Sequence, residues 1–222
     1  MITVHHLENS RSQRILWLLE ELGLAYHVKR YERDKKTNLA PRELLKVHPL
    51  GKSPVIDDDG VVIAETGAII EHIVETHGGG RLVPLKGTPE YRRWKYWMHA
   101  AEGSYMPPLV LALFLNRMET AKMPFFAKPI ARKLTQGVRD IYLNHTTKAL
   151  FDYLDAELSG SEWLAGKDFS AADIIMSFPA EAALARIDAA KSAKNLKSYV
   201  ERLHARPAYR RALEKGGPYA YA

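Results

Sequence analysis

Apolar and polar positions alternate through "ITVHHL" at 2–7 closely enough to predict a strand. From Ser10 onward the spacing turns helical through Ile15, Leu16, Leu18, Leu19 and Leu22, with Gly23 as the stop. "YHVKRY" at 26–31 predicts a second strand, parallel to the first across a right-handed strand-helix-strand crossover. Pro41 opens a short helix, "PRELLKV", at a position where its missing N–H costs nothing. "SPVIDDDGVVIAE" predicts a hairpin turning at Asp58, Asp59 and Gly60, and "TGAIIEHIVETH" a helix that ends at Gly78. The first 80 residues therefore read β-α-β-α-β-β-α.

Beyond residue 80 no strand pattern of any length returns. Thr88 and Pro89 supply a helix cap and first position, and helical spacing runs toward Met118, with Pro107 and Pro108 predicting a kink or break. A second helical stretch covers about 126–158, a third opens with a capping box from Ser170 to Asp173, and helix continues to about Lys215. The expected division is an α/β domain over 1–80, a linker over 81–88 and an all-α domain over 89–222.

Composition narrows the chemistry. The 46% apolar content suffices for one or two cores, while the longest mostly apolar stretch, "MPPLVLALFL", is about half of the ~20 residues that cross a bilayer. With no basic-then-apolar leader pattern, a soluble cytoplasmic protein is expected, without a membrane partner. The chain has no cysteine, which removes disulfides, thiolate metal sites and a cysteine nucleophile, so any sulfur chemistry needs a bound thiol. Its net charge of +6 is uneven: residues 1–80 carry 10 basic and 12 acidic groups, the rest 22 and 14. The basic residues of the last helices are scattered and lack a glycine-aromatic motif, so no nucleic-acid partner is expected. His5 and His6 fall on opposite faces of a strand, and Asp57, Asp58 and Asp59 read as turn chemistry, so no metal is expected. "GGGR" at 78–81 lacks the lysine and hydroxyl of a phosphate-binding loop.

Three turns carry candidate chemistry. Ser10, at the first strand-to-helix turn, serves either as a plain helix cap or as a hydrogen-bond donor to a bound thiolate near free helix N–H groups. A proline at a strand entry, Pro54, suits a cis Ser53–Pro54 bond, which would turn the backbone of Ser53 outward to pair with an extended peptide. At the next junction Glu65 and Thr66 match an α-ammonium and an α-carboxylate, against the alternative of a Thr66 cap. Lys52 is either the partner of a distant carboxylate or an ordinary exposed lysine.

In "SRSQRILWLLEELGLAYHVKRY", "HPLGKSPVIDDDGVVIAETGAIIEHIV" and "FSAADIIMSFP", in this order and over essentially the whole chain, the sequence resembles the cytosolic glutathione transferases. "EGSYMPPL" and "MPFFAKPIARKL" look most like a fungal and bacterial serine-type subgroup. The resemblance implies a thioredoxin-like N-terminal domain, an all-helical C-terminal domain and a homodimer, with glutathione as co-substrate and no permanently bound cofactor. It implies that Ser53, beside Pro54, pairs with the cysteinyl unit, that Glu65 and Thr66 hold the γ-glutamyl end, and that Lys52 meets the glycyl carboxylate. Ser10 falls where serine-type members keep the thiolate-stabilising hydroxyl, with Asn9 and Ser12 as alternatives. An electrophile wall is expected from Tyr105, Met106, Leu109 and Phe114, for which core packing is the alternative. The implied activity is conjugation of glutathione to hydrophobic electrophiles, of the detoxification type, with glutathione peroxidase activity beside it. The other readings are a glutathione-dependent cis-trans isomerase and a non-catalytic binding or regulatory protein.

Overall fold

The computed structural model describes residues 1–221. Strands β1 (Ile2–Leu7), β2 (Tyr26–Tyr31), β3 (Val55–Asp58) and β4 (Val61–Ala64) form one sheet in the order β2-β1-β3-β4. β1 and β2 run parallel, with Val4 opposite Val28; β1 and β3, and β3 and β4, are antiparallel, with Val4 opposite Ile56 and Ile56 opposite Ile63. The single parallel pair follows from the helix between its strands, since only a crossover returns the chain in the same direction. This four-stranded mixed sheet with its helices, followed by an all-helical domain, is the thioredoxin-like and helical arrangement that the resemblance implies.

The crossover helix α1 (Gln13–Leu22) begins three residues after Ser10, and residues 8–12 form turns. Nine of its ten residues are buried, Gln13, Arg14 and Glu20 among them, which makes α1 a central element. It packs against α2 (Thr66–His77), α7 (Ala171–Arg186) and α10 (Pro207–Gly216). Tyr209 of α10 meets Trp17 edge-on at 5.1 Å between ring centroids, and Arg211 and Lys215 both pair with Glu20. The last helix of the chain thus covers the first.

The helical part begins with α3 (Pro89–Ala100), where the Thr88 side chain accepts from the Tyr91 N–H. α4 (Met106–Thr120), α5 (Ala127–Val138), α6 (Asn144–Ser159), α7, α8 (Asp188–Lys191), α9 (Lys194–Ala205) and α10 follow. α7 starts with the expected capping box, and burial pushes the Asp173 carboxyl up to about 6 although Leu164 N, Ser170 N and the Tyr199 and Ser170 hydroxyls all donate to it. No helix is long and apolar enough to cross a membrane among the described residues.

Pro107 and Pro108 do not break the helix. They sit in the first turn of α4, and the five residues before it, Ala101–Tyr105, open into a π turn in which Met106 N bonds Ala101 O. Prolines cannot donate to carbonyls one turn back, so the ladder widens where those bonds are missing and the chain continues. The wider turn places Glu102 against α1. There Arg14, only 1% exposed, donates from Nη2 to Glu102 Oε1 at 2.5 Å and to Thr66 Oγ1 at 3.3 Å, and from Nη1 to Ile175 O at 2.5 Å. One guanidinium therefore joins α1, α2, the π turn and α7.

A buried cation stripped of its carboxylate is costly, on the order of 3 kcal/mol or more. Urea denaturation of Glu102→Ala is expected to show a loss of about that size, with Glu102→Gln recovering part of it through the retained acceptor. A loss below about 1 kcal/mol in Glu102→Ala would mean that Ile175 O and Thr66 alone satisfy Arg14.

Candidate functional site

Where β1 hands over to α1, the amides of Ser10 and Arg11 make no hydrogen bond within the described residues. They are donors free for a ligand at a helix N-terminus. α1's cap residue is Ser12, and its side chain makes no capping bond. Ser12 Oγ lies 2.8 Å from His6 Nδ1 and 2.7 Å from Ser10 Oγ, and accepts from Leu7 N at 3.2 Å.

The donors in this cluster follow from its far end. Burial pulls the His6 imidazole down to about 4, so it is neutral near pH 7. Its Nε2 lies 3.0 Å from Gly216 O, and a carbonyl only accepts, so the proton sits on Nε2 and Nδ1 accepts from the Ser12 hydroxyl. The Ser10 hydroxyl then donates to Ser12 Oγ, while Ser10 Oγ accepts from Ser12 N at 3.2 Å. Ser12 is 0% exposed with its proton committed, which removes it as the hydroxyl that faces a ligand. Ser10, 6% exposed, can redirect its proton outward at the expense of one bond. Asn9, the other alternative, is exposed with φ 47°, and its Oδ1 accepts from Ala220 N at 2.8 Å.

A small cleft beside this turn is lined by Arg11, His48, Lys52, Ser53, Pro54, Glu65 and Thr66. The Ser53–Pro54 bond is cis. Ser53 Oγ is used by β1, donating to His5 O at 2.9 Å and accepting from Leu7 N at 3.3 Å, whereas its backbone N–H and C=O have no partner among the described residues. That leaves one residue of open strand edge facing the cleft. On the other side Glu65 is exposed at φ 73° and ψ 128°, a region that side chains rarely adopt. It occupies the cap position of α2 without a side-chain cap, and Thr66, buried and held by Arg14, is the first helical residue. The plain Thr66 cap is thereby excluded. Glu65 and the free N–H groups of the first turn of α2 are left for a ligand.

The second-domain wall differs from expectation in phase. Met106 and Phe114 line a shallow groove together with Pro107, Val110, Leu111, Arg11 and Glu102. Tyr105 and Leu109 are 0% exposed and belong to the core; the Tyr105 hydroxyl donates to Leu150 O at 3.0 Å, and burial raises it far above the usual phenol range. At 100° per residue, 107, 110, 111 and 114 share a face, and 105, 109 and 112 lie on the opposite one.

Arg11 lines both the cleft and the groove. Its Nη1 donates to Glu102 Oε2 at 2.6 Å, so the carboxylate that holds Arg14 with one oxygen holds Arg11 with the other. Burial pushes the Glu102 carboxyl up, but the two guanidinium groups outweigh it and keep it below the usual range. Arg11, Glu102 and His48 were not singled out from the sequence; an arginine between two serines at a helix entry is the only local signal.

The arrangement brings an unpaired strand edge at Ser53, the N-terminus of α1 and an apolar groove together around Arg11. Residues 1–75 match the glutathione S-transferase N-terminal domain and residues 115–207 the C-terminal domain. The chain is 39% identical to glutathione S-transferase 3 of Schizosaccharomyces pombe over 97% of its own length and 88% of the relative's. It is 33% identical to glutathione S-transferase 1 of Saccharomyces cerevisiae over 84% and 82%. A crystal structure of a glutathione S-transferase from Actinobacillus pleuropneumoniae is similar with a TM-score of 0.81 at 34% identity, covering 97% of this chain and 93% of that one. With both domains matched in order along the chain, this protein belongs to the glutathione S-transferase family, whose members use glutathione as a substrate.

Proposed function

We propose that the protein activates the thiol of bound glutathione and transfers it to hydrophobic electrophiles, with hydroperoxides as a second substrate class. The observation that carries this reading is the junction at Arg11, where a cleft with an open strand edge meets an apolar groove. In the proposal the cysteinyl unit pairs with Ser53, the γ-glutamyl end lies between Glu65 and the first turn of α2, and Lys52 meets the glycyl carboxylate. The domain of residues 1–80 supplies these groups, and the helical domain of 89–222, beyond the 81–88 linker, supplies Met106, Pro107, Val110, Leu111 and Phe114 to the electrophile.

A free thiol of pKa ~8.5 is a few per cent ionised at neutral pH, and lowering it by about two units corresponds to roughly 2.7 kcal/mol of preference for the thiolate. In this reading the redirected Ser10 hydroxyl, the unpaired amides of Ser10 and Arg11, and the Arg11 cation share that task. Ser10→Ala is expected to raise the pKa of the bound thiol by about one unit and to lower turnover near pH 6.5 about tenfold, followed by thiolate absorbance and by a panel of an aryl halide, an organic hydroperoxide and a maleyl substrate. An unchanged pKa and rate would pass the role to Asn9. Retention on immobilised glutathione without turnover of any panel member would favour the binding-protein reading, and turnover of the maleyl substrate alone the isomerase.

A homodimer belongs to the same proposal. Phe125 and Phe126 in the turn before α5, Ile130 and Leu134 on α5, and Ile141 in the π turn after it are all more than half exposed, supplying apolar surface that a second copy can cover. Size-exclusion chromatography with light scattering is expected to give twice the mass of one chain at micromolar concentration; a monomer there would remove the dimer from the reading.

A further inference from the structure

At the other end of α2 from the cleft, three side chains converge that the transferase reading does not use. Asp58 Oδ2, at the end of β3, lies 2.8 Å from His72 Nε2 and 2.6 Å from His77 Nε2. The three ligand atoms all lie within 4.8 Å of one another. The neighbouring aspartates have other partners: Asp57 Oδ1 accepts from Gly60 N at 2.7 Å, and Asp59 pairs with the N-terminal amine. Only Asp57 and Asp59 are turn and surface chemistry; Asp58, 10% exposed at its side chain, faces two imidazoles that are 26% and 31% exposed.

We propose that Asp58, His72 and His77 form a binding site for a divalent transition-metal ion of the zinc type. Two imidazoles and one carboxylate are a donor set for Zn²⁺, Co²⁺ or Ni²⁺, not for Mg²⁺ or Ca²⁺, which take oxygen ligands. Bonds of ~2.0–2.1 Å from a tetrahedral ion separate its ligands by about 3.3 Å, so the His72 and His77 rings need to withdraw from Asp58 by roughly 0.5 and 0.7 Å. Their solvent-facing sides leave room for that shift and for water on the remaining coordination position.

The site holds the turn of the β3–β4 hairpin to the last turn of α2, because His77 ends that helix. At 1.5 Å per residue, His72 lies about 9 Å and His77 about 16 Å along α2 from Thr66, so the ion would stabilise the first domain without touching the cleft.

Calorimetric titration of the chelator-stripped full chain with Zn²⁺ at pH 7.5 is the test. One ion per chain is expected, with the midpoint of thermal unfolding rising by at least about 4 °C at a hundredfold excess over Kd. Co²⁺ is expected to give the visible absorption of a tetrahedral nitrogen-oxygen site. His77→Ala and His72→Gln should each abolish both signals, while His145→Ala, on the exposed face of α6, keeps them. The glutamine variant keeps a polar group beside Asp58, and circular dichroism confirms that each variant is folded. Absence of saturable binding below about 100 µM, binding that survives both substitutions, or equal binding of Mg²⁺ would overturn the proposal. Glutathione turnover is not the readout, so failure here leaves the transferase reading untouched.

Discussion

The structure turns on one carboxylate shared between two arginines. Arg14 is a charged group inside the core, tolerable there because Glu102, Ile175 O and Thr66 surround it with acceptors. Those acceptors come from three elements distant in sequence, so satisfying one guanidinium fixes α1 against α2, the π turn and α7. The other oxygen of Glu102 holds Arg11 at the rim. The buried pair thus sets the join between the two domains, and the exposed pair sets a positive charge where cleft and groove meet.

The same join explains why the helical domain widens where it does. Two consecutive prolines deny α4 its first backbone bonds, the ladder slips into a π turn, and Glu102 reaches inward from that turn. The phase of the following helix is then set, with Met106, Pro107, Val110 and Phe114 toward the groove and Tyr105 and Leu109 toward the core. The groove's position over the α1 N-terminus follows from proline chemistry combined with one ion pair.

Much of this was legible in the chain. Period-two and period-3.6 patterns identify all four strands and the long helices, Ser170 and Asp173 mark the start of α7, and the proline after Ser53 marks the cis bond. What was not legible depends on contacts between distant residues. The Ser10 hydroxyl is read locally as a cap or a donor, but its direction is set by Ser12 and, through it, by His6 bonded to Gly216 two hundred residues away. Spacing along a helix gives a face without saying which face is out, so Tyr105 and Leu109 read as wall residues although both lie in the core. Asp58, His72 and His77 carry no spacing signature, since a hairpin and a helix lie between the first and the last of them. The arginine at 11 resembles any surface charge until Glu102 is seen beside it.

In the proposed function Arg11, which lines both cleft and groove, marks where the glutathione sulfur meets the electrophile. A crystal structure with S-hexylglutathione tests it most directly. The peptide is expected along the Ser53 edge with its sulfur within hydrogen-bonding reach of Ser10 or Arg11 and the hexyl chain on Met106, Val110 and Phe114. A sulfur lying away from the α1 N-terminus, or a hexyl chain outside that groove, would contradict it.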